Sequence, residues 1–410
     1  MSRLTLLLGC LALLLLGSCA GPRPASDPQA HSTYVADLLA SRPDRFGALL
    51  ADPGAHRLQI LVTKFSTNEA GQPSLERHGY RLGTEYFYPA SSIKLCAAIA
   101  AFERLNELTE PAEQSFDEDS ALVFHPLFEG DAEERFDASN LALGVPTLRH
   151  LVRRVCIVSD NPAFNRLYDF VGQQELNERM WKAGMPSTRI AHRLSILQAR
   201  EQSRRTPRVD LLAGARALTL PARTSALELD NAGQDGLRVG VAQMRDGKRI
   251  DEPIDFRFKN SMSVLDLQNM LLKVVRRDVE LPGRPLRLSD RQFELLQTAL
   301  AQYPGESENP KYDRKSYPDD WVKFLLPGLE RVLPKERWRI QNKVGRAYGF
   351  SIENAYVEDR SSGRAFAITA VLYTNSDGVL NDDAYEYDKI ADPFFADLAE
   401  LVARDVLGAP

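Results

Sequence analysis

The sequence predicts an α+β protein in which both ends of the chain contribute strands to one sheet and the middle is mainly helical. β-rich runs lie near the start and return near the end, at 57–66, 75–82, 339–345, 348–358 and 364–374. Apolar residues at helical spacing dominate between these runs. With 44% hydrophobic and 26% charged residues, the chain has the composition of a globular protein, which excludes a disordered or collagen-like one.

The first residues are typical of an export signal. An arginine precedes an apolar run at 4–16 that is too short to span a bilayer as a helix. The Leu-Gly-Ser-Cys that ends at Cys19 resembles the lipobox of bacterial lipoproteins, whose cysteine becomes lipidated. We therefore expect residues 1–18 to be a signal peptide and residues 19–32 a tether, in a protein anchored through Cys19 on the periplasmic side of a membrane. A secretory signal cleaved slightly later is the alternative.

We interpret residues 33–410 as one folded domain with two parts. Residues 33–88 and 330–410 would form its α/β part, because the strand patterns lie there. Residues 89–329 would form the helical lobe.

Helices are predicted in order along that lobe. The apolar spacing of 92–108 predicts a central buried helix. Thr147 is expected to cap a helix that ends at Val158, and Pro162 is expected to begin another that stops at Gly172. Further helical patterns lie at 264–277, 290–301 and 393–406.

Charge and histidine placement argue against two classes of function. The chain has 51 Lys+Arg and 56 Asp+Glu, so no overall basic field would hold nucleic acid. The acidic segment 113–134 is interpreted as surface loops with a short helix. The six histidines are scattered, without a zinc-ligand spacing, and we expect neither a metal nor a cofactor.

Cys96 and Cys156 are the two cysteines that follow the export signal and its lipobox. In an exported protein they could form a disulfide. Two buried free thiols are the alternative, because the sequence does not show whether the Cα atoms come within about 7 Å of each other.

Ser91 and Lys94 form the only Ser-x-x-Lys in the chain. They lie at the predicted start of a helix, where positions i and i+3 share a face, so the amine is expected beside the hydroxyl. A lysine with a depressed pKa can take the proton of a serine and make it a nucleophile. The pair therefore predicts a nucleophilic serine site.

Two further motifs follow in the chain, SDN at 159–161 between two predicted helices and KVG at 343–345 in a predicted strand. Together with YPASSIK around Ser91, they resemble the active-site motifs of class A β-lactamases and the related penicillin-binding proteins, in the same order. The resemblance implies a β-lactamase/DD-peptidase-like fold. It fails at about 212–329, where the chain would carry an insertion.

The resemblance implies three catalytic residues. Ser91 would attack an amide carbonyl and become acylated, with Lys94 as its base. Ser159 would pass the proton to the departing nitrogen.

The resemblance also implies substrate-binding positions, which are Asn161, Lys343, Gly345 and Arg346. Asn161 would orient the lysine base and the substrate amide. Lys343 would add positive potential that favours an anionic substrate and keeps the base neutral. The backbone N–H groups of Ser91 and Arg346 would form an oxyanion hole.

Two departures from the family pattern bear on activity. Val344 stands where a hydroxyl residue normally binds the substrate carboxylate, which calls carboxylate binding into question. The Glu that activates a deacylating water has no counterpart in 190–200, where only Arg193 matches the family's loop. Glu201 and Glu228 remain as possible substitutes, although a surface carboxylate is the ordinary explanation for each.

We therefore expect a serine acyl-hydrolase that forms a Ser91 acyl-enzyme on an amide, in a β-lactam or a peptidoglycan-type peptide. The missing Glu argues against an efficient β-lactamase. The alternative is a catalytically weak or inactive cell-envelope binding protein that uses the same pocket, with the 212–329 insertion as its partner surface.

Overall fold

The computed structural model describes residues 32–67, 69, 71–109 and 116–408. The predicted signal peptide, Cys19 and the tether up to residue 31 lie outside these residues. Within the described ranges, no helix combines the length and the apolar character needed to cross a membrane.

Helices and strands alternate along the described residues. The helices are α1 (Tyr34–Ala40), α2 (Pro43–Ala51), α3 (Lys94–Thr109), α4 (Leu148–Val158), α5 (Asn161–Val171), α6 (Gln173–Lys182), α7 (Arg200–Ser203), α8 (Val264–Val275), α9 (Asp290–Ala301), α10 (Leu326–Leu329) and α11 (Asp392–Leu407). The strands are β1 (Gln59–Thr67), β2 (Pro73–Tyr80), β3 (Ala121–Phe124), β4 (Arg205–Thr206), β5 (Val209–Ala213), β6 (Arg216–Leu220), β7 (Arg223–Thr224), β8 (Arg238–Val239), β9 (Ala242–Arg245), β10 (Lys248–Ile250), β11 (Ile254–Asp255), β12 (Trp338–Asn342), β13 (Gly345–Ala347), β14 (Phe350–Asp359), β15 (Ala365–Tyr373) and β16 (Val379–Leu380).

The central sheet is antiparallel and is built from both ends of the chain. Its strand order is β12-β14-β15-β1-β2, and β13 also pairs with β14. In the register of β1, Gln59 lies opposite Val371 of β15, and Ile60 lies opposite Tyr80 of β2. The predicted α+β class, with a sheet made by both chain ends, is confirmed.

Apolar clusters cover both faces of this sheet. Because side chains alternate along a strand, Ile60 and Val62 of β1 join the cluster that contains Phe46 of α2 and Phe395 of α11. Leu61, between them, joins the other cluster, to which α3 and α8 contribute. The central helix α3 is thereby enclosed on the face of the sheet that carries the motifs.

The predicted capping residues mark the helix ends. The Thr147 side chain accepts a hydrogen bond from the His150 N–H and begins α4, as predicted. Helix α5 ends before Gly172, which has a positive φ of 89°. Helices α8 and α9 also agree with their predicted patterns.

Two segments differ from the sequence predictions. Residues 116–134, the described part of the acidic segment, contain β3 and no helix. Between residues 205 and 255, inside the predicted helical lobe, the chain forms the short strands β4 to β11. These strands are two to five residues long, which is too short for an alternating pattern to identify.

Cys96 and Cys156 are buried free thiols. Cys96 lies on α3 against the sulfur atoms of Met262 and Met270. Cys156 lies on α4. The free-thiol alternative is therefore correct, and the disulfide is wrong.

A buried polar network fixes α8 on the sheet, although α8 falls in the range interpreted as an insertion. Gln268 is fully buried, and its Nε2 donates to the Leu61 carbonyl and to Thr369 Oγ1, both at 3.2 Å. Its Oε1 accepts from Thr63 Oγ1 at 2.5 Å. Thr369 Oγ1 in turn donates to Asn354 Oδ1 at 2.8 Å. One amide therefore joins the helix to strands β1 and β15.

Replacing Gln268 with leucine should lower the free energy of unfolding by about 1–3 kcal/mol, because buried groups of the sheet lose their partner. Urea denaturation measures this change. Gln174→Leu on α6, where the glutamine is exposed, is the matched control and should change stability by less than about 0.5 kcal/mol. Equal stability of the two variants would contradict the role of the network.

Candidate active site

Ser91 lies on a 3₁₀ turn, Ala90–Ile93, that leads directly into α3. Ala90 has a φ of 48°, in the left-handed region that residues with a Cβ rarely adopt. The Ser92 hydroxyl donates to the Pro89 carbonyl at 2.7 Å. Ser91, which is half-buried, instead lines a cleft of about 380 Å³. The turn therefore presents the Ser91 hydroxyl to this cleft.

Lys94 is fully buried at the start of α3. Its ammonium donates to the Ser159 carbonyl at 2.5 Å and to Asn161 Oδ1 at 2.6 Å, and lies 3.5 Å from Ser159 Oγ. Burial, reinforced by the charge of Lys343, lowers the pKa of Lys94 well below its usual value. The amine is thereby shifted toward the neutral form, which can accept a proton.

The SDN stretch joins α4 directly to α5. Ser159 ends α4 with a φ of 62°. Asp160 caps α5, since its carboxylate accepts from the Ala163 N–H at 2.7 Å. Asn161 then begins α5, and its side-chain amide donates to Ser195 Oγ at 2.7 Å. The Asp160 cap thus fixes the positions of its two neighbours, Ser159 and Asn161.

Lys343, in the KVG motif, contacts Ser159 of the SDN motif. Its ammonium donates to Ser159 Oγ at 2.8 Å and to the Val344 carbonyl at 3.1 Å. Burial lowers the pKa of Lys343 to about 8. The Ser159 hydroxyl therefore lies between two lysine amines, those of Lys94 and Lys343.

Gly345 allows β13 to pass directly beside the Ser91 turn. A Cβ on Gly345 would lie 2.4 Å from the Pro89 carbonyl oxygen and 3.1 Å from the Ser91 nitrogen. Only glycine permits this approach without a shift of backbone. Val344, by contrast, is 4% exposed and packs in the apolar cluster with Phe395, so its side chain belongs to the core.

Arg346 lines the cleft, but its charge is already compensated. The guanidinium forms an ion pair with Asp392 and lies 4.3 Å from the ring centre of Phe324. Its Nε also donates to Ser351 Oγ at 3.3 Å. Of the sequence-predicted site residues, Ser91, Asn161 and Arg346 line the cleft. Lys94, Ser159, Lys343 and Gly345 lie behind them and contact these residues or one another, while Cys19 lies outside the described residues.

Some residues of the cleft carry no signal in the sequence. Besides the motif residues, the cleft is lined by Leu194, Ser195, Asn381, Asp383, Tyr385 and Tyr387. Ser195 has a φ of 56°, and its hydroxyl accepts a hydrogen bond from the side-chain amide of Asn161. The last four come from a segment after β15, and only tertiary folding places them beside Ser91.

The loop at 189–199, which overlaps the stretch 190–200 that lacks the deacylating Glu, is held by a buried ion pair. The Arg193 guanidinium contacts the Asp169 carboxylate, with Nε at 2.8 Å, and the two side chains are 4% and 3% exposed. Burial raises the pKa of Asp169, although the positive charge of this guanidinium acts to lower it. Asn165 adds two hydrogen bonds to the Leu194 backbone, at 2.9 and 3.0 Å. The loop consequently has a fixed position beside the cleft.

Neither glutamate that the sequence left open as a deacylating base lies in the Ser91 cleft. Glu228 is 70% exposed and pairs with Arg204 at 2.8 Å. Glu201 is exposed on α7. The carboxylate that lines the cleft belongs to Asp383, an exposed residue. In the described ranges, no group of three or more His, Cys, Asp or Glu side chains is arranged to hold a metal ion.

Residues 59–229 match the model of a protein family described as the beta-lactamase enzyme family. These residues make up less than half of the chain. The match contains Ser91, Lys94 and the SDN motif, and it ends before the KVG motif. The resemblance found in the sequence is thereby confirmed, and the protein is a β-lactamase-related hydrolase of the serine type.

Solved structures of β-lactamases are similar to this chain at low identity. One from Desulfarculus baarsii DSM 2075 has 14% identity and a TM-score of 0.49, covering 91% of this chain and 99% of that one. One from Streptosporangium roseum has 15% identity and a TM-score of 0.49, covering 92% of this chain and 100% of that one. A comparison with curated proteins found no match.

Replacing Arg193 with methionine should lower the free energy of unfolding by about 1.5–3 kcal/mol, because the buried Asp169 carboxylate would keep only its ion pair with Arg166. Thermal and urea denaturation measure the loss, and hydrogen exchange should increase in the 189–199 loop. Arg249→Met, which removes an exposed pair with Asp251, is the control and should cost less than about 1 kcal/mol. Similar losses in both variants would show that the buried pair has no special role.

Proposed function

We propose that the protein is an exported serine acyl-hydrolase, anchored through a lipidated Cys19, that forms an acyl-enzyme on Ser91. Its substrate would be an amide, either a β-lactam or a peptidoglycan-type peptide. The observation that carries this proposal is the buried Lys94 amine, which follows the Ser91 turn and contacts Ser159. A buried amine without a carboxylate partner is suited to act as a base.

Acylation would begin with attack of Ser91 Oγ on the amide carbonyl carbon. The new C–O bond forms as the hydroxyl proton passes to neutral Lys94. Lys94 then returns a proton through Ser159 Oγ, 3.5 Å from its amine, to the departing nitrogen as the C–N bond breaks. The products of this step are an ester on Ser91 and an amine, which departs from a peptide substrate and stays attached to the acyl group of a β-lactam.

Lys343 would support this transfer electrostatically. Its ammonium donates to Ser159 Oγ at 2.8 Å, so the Ser159 hydrogen is free to point toward the leaving group. Its charge also disfavours protonation of Lys94. The Gly345 contact brings β13 beside the backbone of the Ser91 turn. The Ser91 and Arg346 N–H groups would stabilise the developing oxyanion there.

The acyl-enzyme is expected to persist. The 189–199 loop contributes Leu194 and Ser195 to the cleft and no carboxylate, while Glu201 and Glu228 do not line it. The carboxylate that does line the described cleft belongs to the exposed Asp383, so a water at the ester would lack a buried carboxylate as its base. This favours a penicillin-binding acyl-enzyme over an efficient β-lactamase.

A second candidate is a binding protein that uses the same cleft without turnover. The core position of Val344 and the absence of a glutamate from the described cleft lining favour it. Labelling of Ser91 by a fluorophosphonate distinguishes the two candidates, because labelling requires an activated hydroxyl.

Incubation with benzylpenicillin should add the mass of one intact drug molecule to the protein, and Ser91→Ala should abolish the adduct. Intact mass spectrometry detects the adduct, while drug hydrolysis is followed in the same tube. Ser92→Ala is the matched control, because that hydroxyl faces the Pro89 carbonyl, and it should still be acylated.

Fast hydrolysis without a persisting adduct would contradict the proposed persistence. Glu201→Gln and Glu228→Gln would then show whether either residue supplies the base. Absence of an adduct, of hydrolysis and of fluorophosphonate labelling would contradict the acyl-enzyme itself.

The acylation rate should depend on pH as a bell. As pH falls, Lys94 takes up a proton and ceases to act as base. As pH rises through about 8, the pKa of Lys343, the supporting charge is lost. Stopped-flow acylation from about pH 5 to about pH 10 measures both limbs, and Lys343→Arg should move the alkaline limb upward because arginine keeps its charge. An alkaline limb unmoved by that variant would contradict the assignment.

A further inference from the structure

Three buried polar side chains form a network next to Lys343. They are Lys323, Asn342 and Glu353, which we call the Glu353 network. Asn342 directly precedes Lys343 in the chain. The Lys343 N–H donates to the Asn354 carbonyl at 2.9 Å, and Asn354 follows Glu353. The network therefore flanks Lys343 on both strands, although none of its members belongs to a motif.

Lys323 fixes the orientation of the Asn342 amide. An ammonium group only donates, and that of Lys323 donates to Asn342 Oδ1 at 2.9 Å. The same amine donates to two backbone carbonyls, at 2.8 and 3.0 Å. Asn342 Nδ2 consequently points the other way, where it donates to Glu353 Oε1 at 2.8 Å. The network thus has one direction of donation, from Lys323 through Asn342 to Glu353.

Both carboxyl oxygens of Glu353 face donors. Oε1 accepts from Asn342, and Oε2 accepts from the Phe324 N–H at 2.9 Å. This arrangement suits the carboxylate, which only accepts. Burial raises the pKa of Glu353 to about 7, while the Asn342 hydrogen bond and the charge of Lys323 act to lower it. The carboxylate is therefore present above neutral pH, in the range where the network can act on Lys343.

The charges of the network act on the Lys343 amine. Burial lowers the pKa of Lys343 to about 8, the negative charge of Glu353 acts to raise it, and the positive charge of Lys323 acts to lower it. The amine in turn donates to Ser159 Oγ at 2.8 Å. How long this contact stays charged as pH rises therefore depends on the Glu353 carboxylate.

The other groups packed around Lys343 supply no uncompensated negative charge among the described residues. Cys156 of α4 has a pKa raised to about 12 by burial, so its thiol stays neutral. Lys94 of α3 has an amine like that of Lys343. Asp160 at the junction of α4 and α5 and Arg346 of β13 each have a partner of opposite charge. Glu353 is thus the group suited to hold the proton on Lys343.

We propose that Glu353 is a positioning residue for the acylation of Ser91. Its carboxylate, fixed by Asn342, keeps the Lys343 amine protonated and thereby holds it on the Ser159 hydroxyl. That Lys343 assists acylation rests on the proposed function, whereas its coupling to Glu353 does not.

Part of the range interpreted as an insertion takes part in this role. Lys323 and Phe324 lie within 212–329, and they supply one charge and one backbone donor to the network. The Phe324 ring also lies 4.3 Å from the Arg346 guanidinium. This segment therefore supports the site from behind.

NMR titration of the chain labelled with ¹³C at lysine Cε measures the coupling without acyl chemistry. The Lys343 signal is the one that Lys343→Arg removes. Its midpoint should fall by roughly 0.5–1.5 pH units in Glu353→Gln, since the amine loses an opposite charge. Glu358→Gln makes the same change at the half-buried end of β14 and should move the midpoint by less than about 0.2 pH unit.

The coupling must also be reciprocal, because each group changes the proton affinity of the other by the same amount. In a chain labelled at glutamate Cδ, Lys343→Met should therefore raise the midpoint of Glu353. Should Glu353→Gln fail to fold, this experiment decides. A Lys343 midpoint unmoved by Glu353→Gln, an equal shift in Glu358→Gln, or a Glu353 midpoint unmoved by Lys343→Met would overturn the coupling.

The pH profile of acylation by benzylpenicillin tests the positioning role. Glu353→Gln should move the alkaline limb down by roughly 0.5–1.5 pH units, whereas a merely structural role would lower the rate alike at every pH. A limb that stays in place while the Lys343 midpoint moves would overturn the role. If even the unmodified chain is not acylated, the proposed function fails, while the titrations still decide the coupling.

Discussion

The burial of the Lys94 amine is the constraint on which the rest of the site depends. An ammonium removed from water needs polar partners, and here they are the Ser159 carbonyl and the Asn161 amide oxygen. Both belong to the junction of α4 and α5, so this junction has to pack against the start of α3. A second buried lysine, Lys343, docks the sheet onto the same junction through the Ser159 hydroxyl. Desolvation thus both assembles the cleft and biases Lys94 toward the neutral state.

Backbone geometry supplies the second requirement, a close approach between the Ser91 turn and β13. The left-handed Ala90 turns the chain so that Ser91 faces the cleft, and the missing side chain of Gly345 lets the strand pass alongside. Val344 directly precedes β13 and lies in the apolar cluster with Phe395. Its apolar side chain is therefore buried in the core.

Local signals in the sequence predicted the framework and the motif residues. Thr147, Val158 and Gly172 mark helix ends that the structure reproduces. The Ser-x-x-Lys motif lies at the start of α3, as predicted, and the Lys94 amine contacts Ser159. The short strands at 205–255 and the cleft wall from Asp383 to Tyr387 could not be predicted, since neither has a period of its own.

The ion pair between Arg346 and Asp392 affects how a substrate would reach Ser91. Since both lysines of the site are buried and this guanidinium is compensated, the described lining of the cleft has no uncompensated surface cation. A chain with a net charge of −5 then has little long-range attraction for an anionic molecule. Capture would rely on contacts made after entry into the cleft, and added salt would raise the association rate of an anionic molecule by screening its repulsion from the chain.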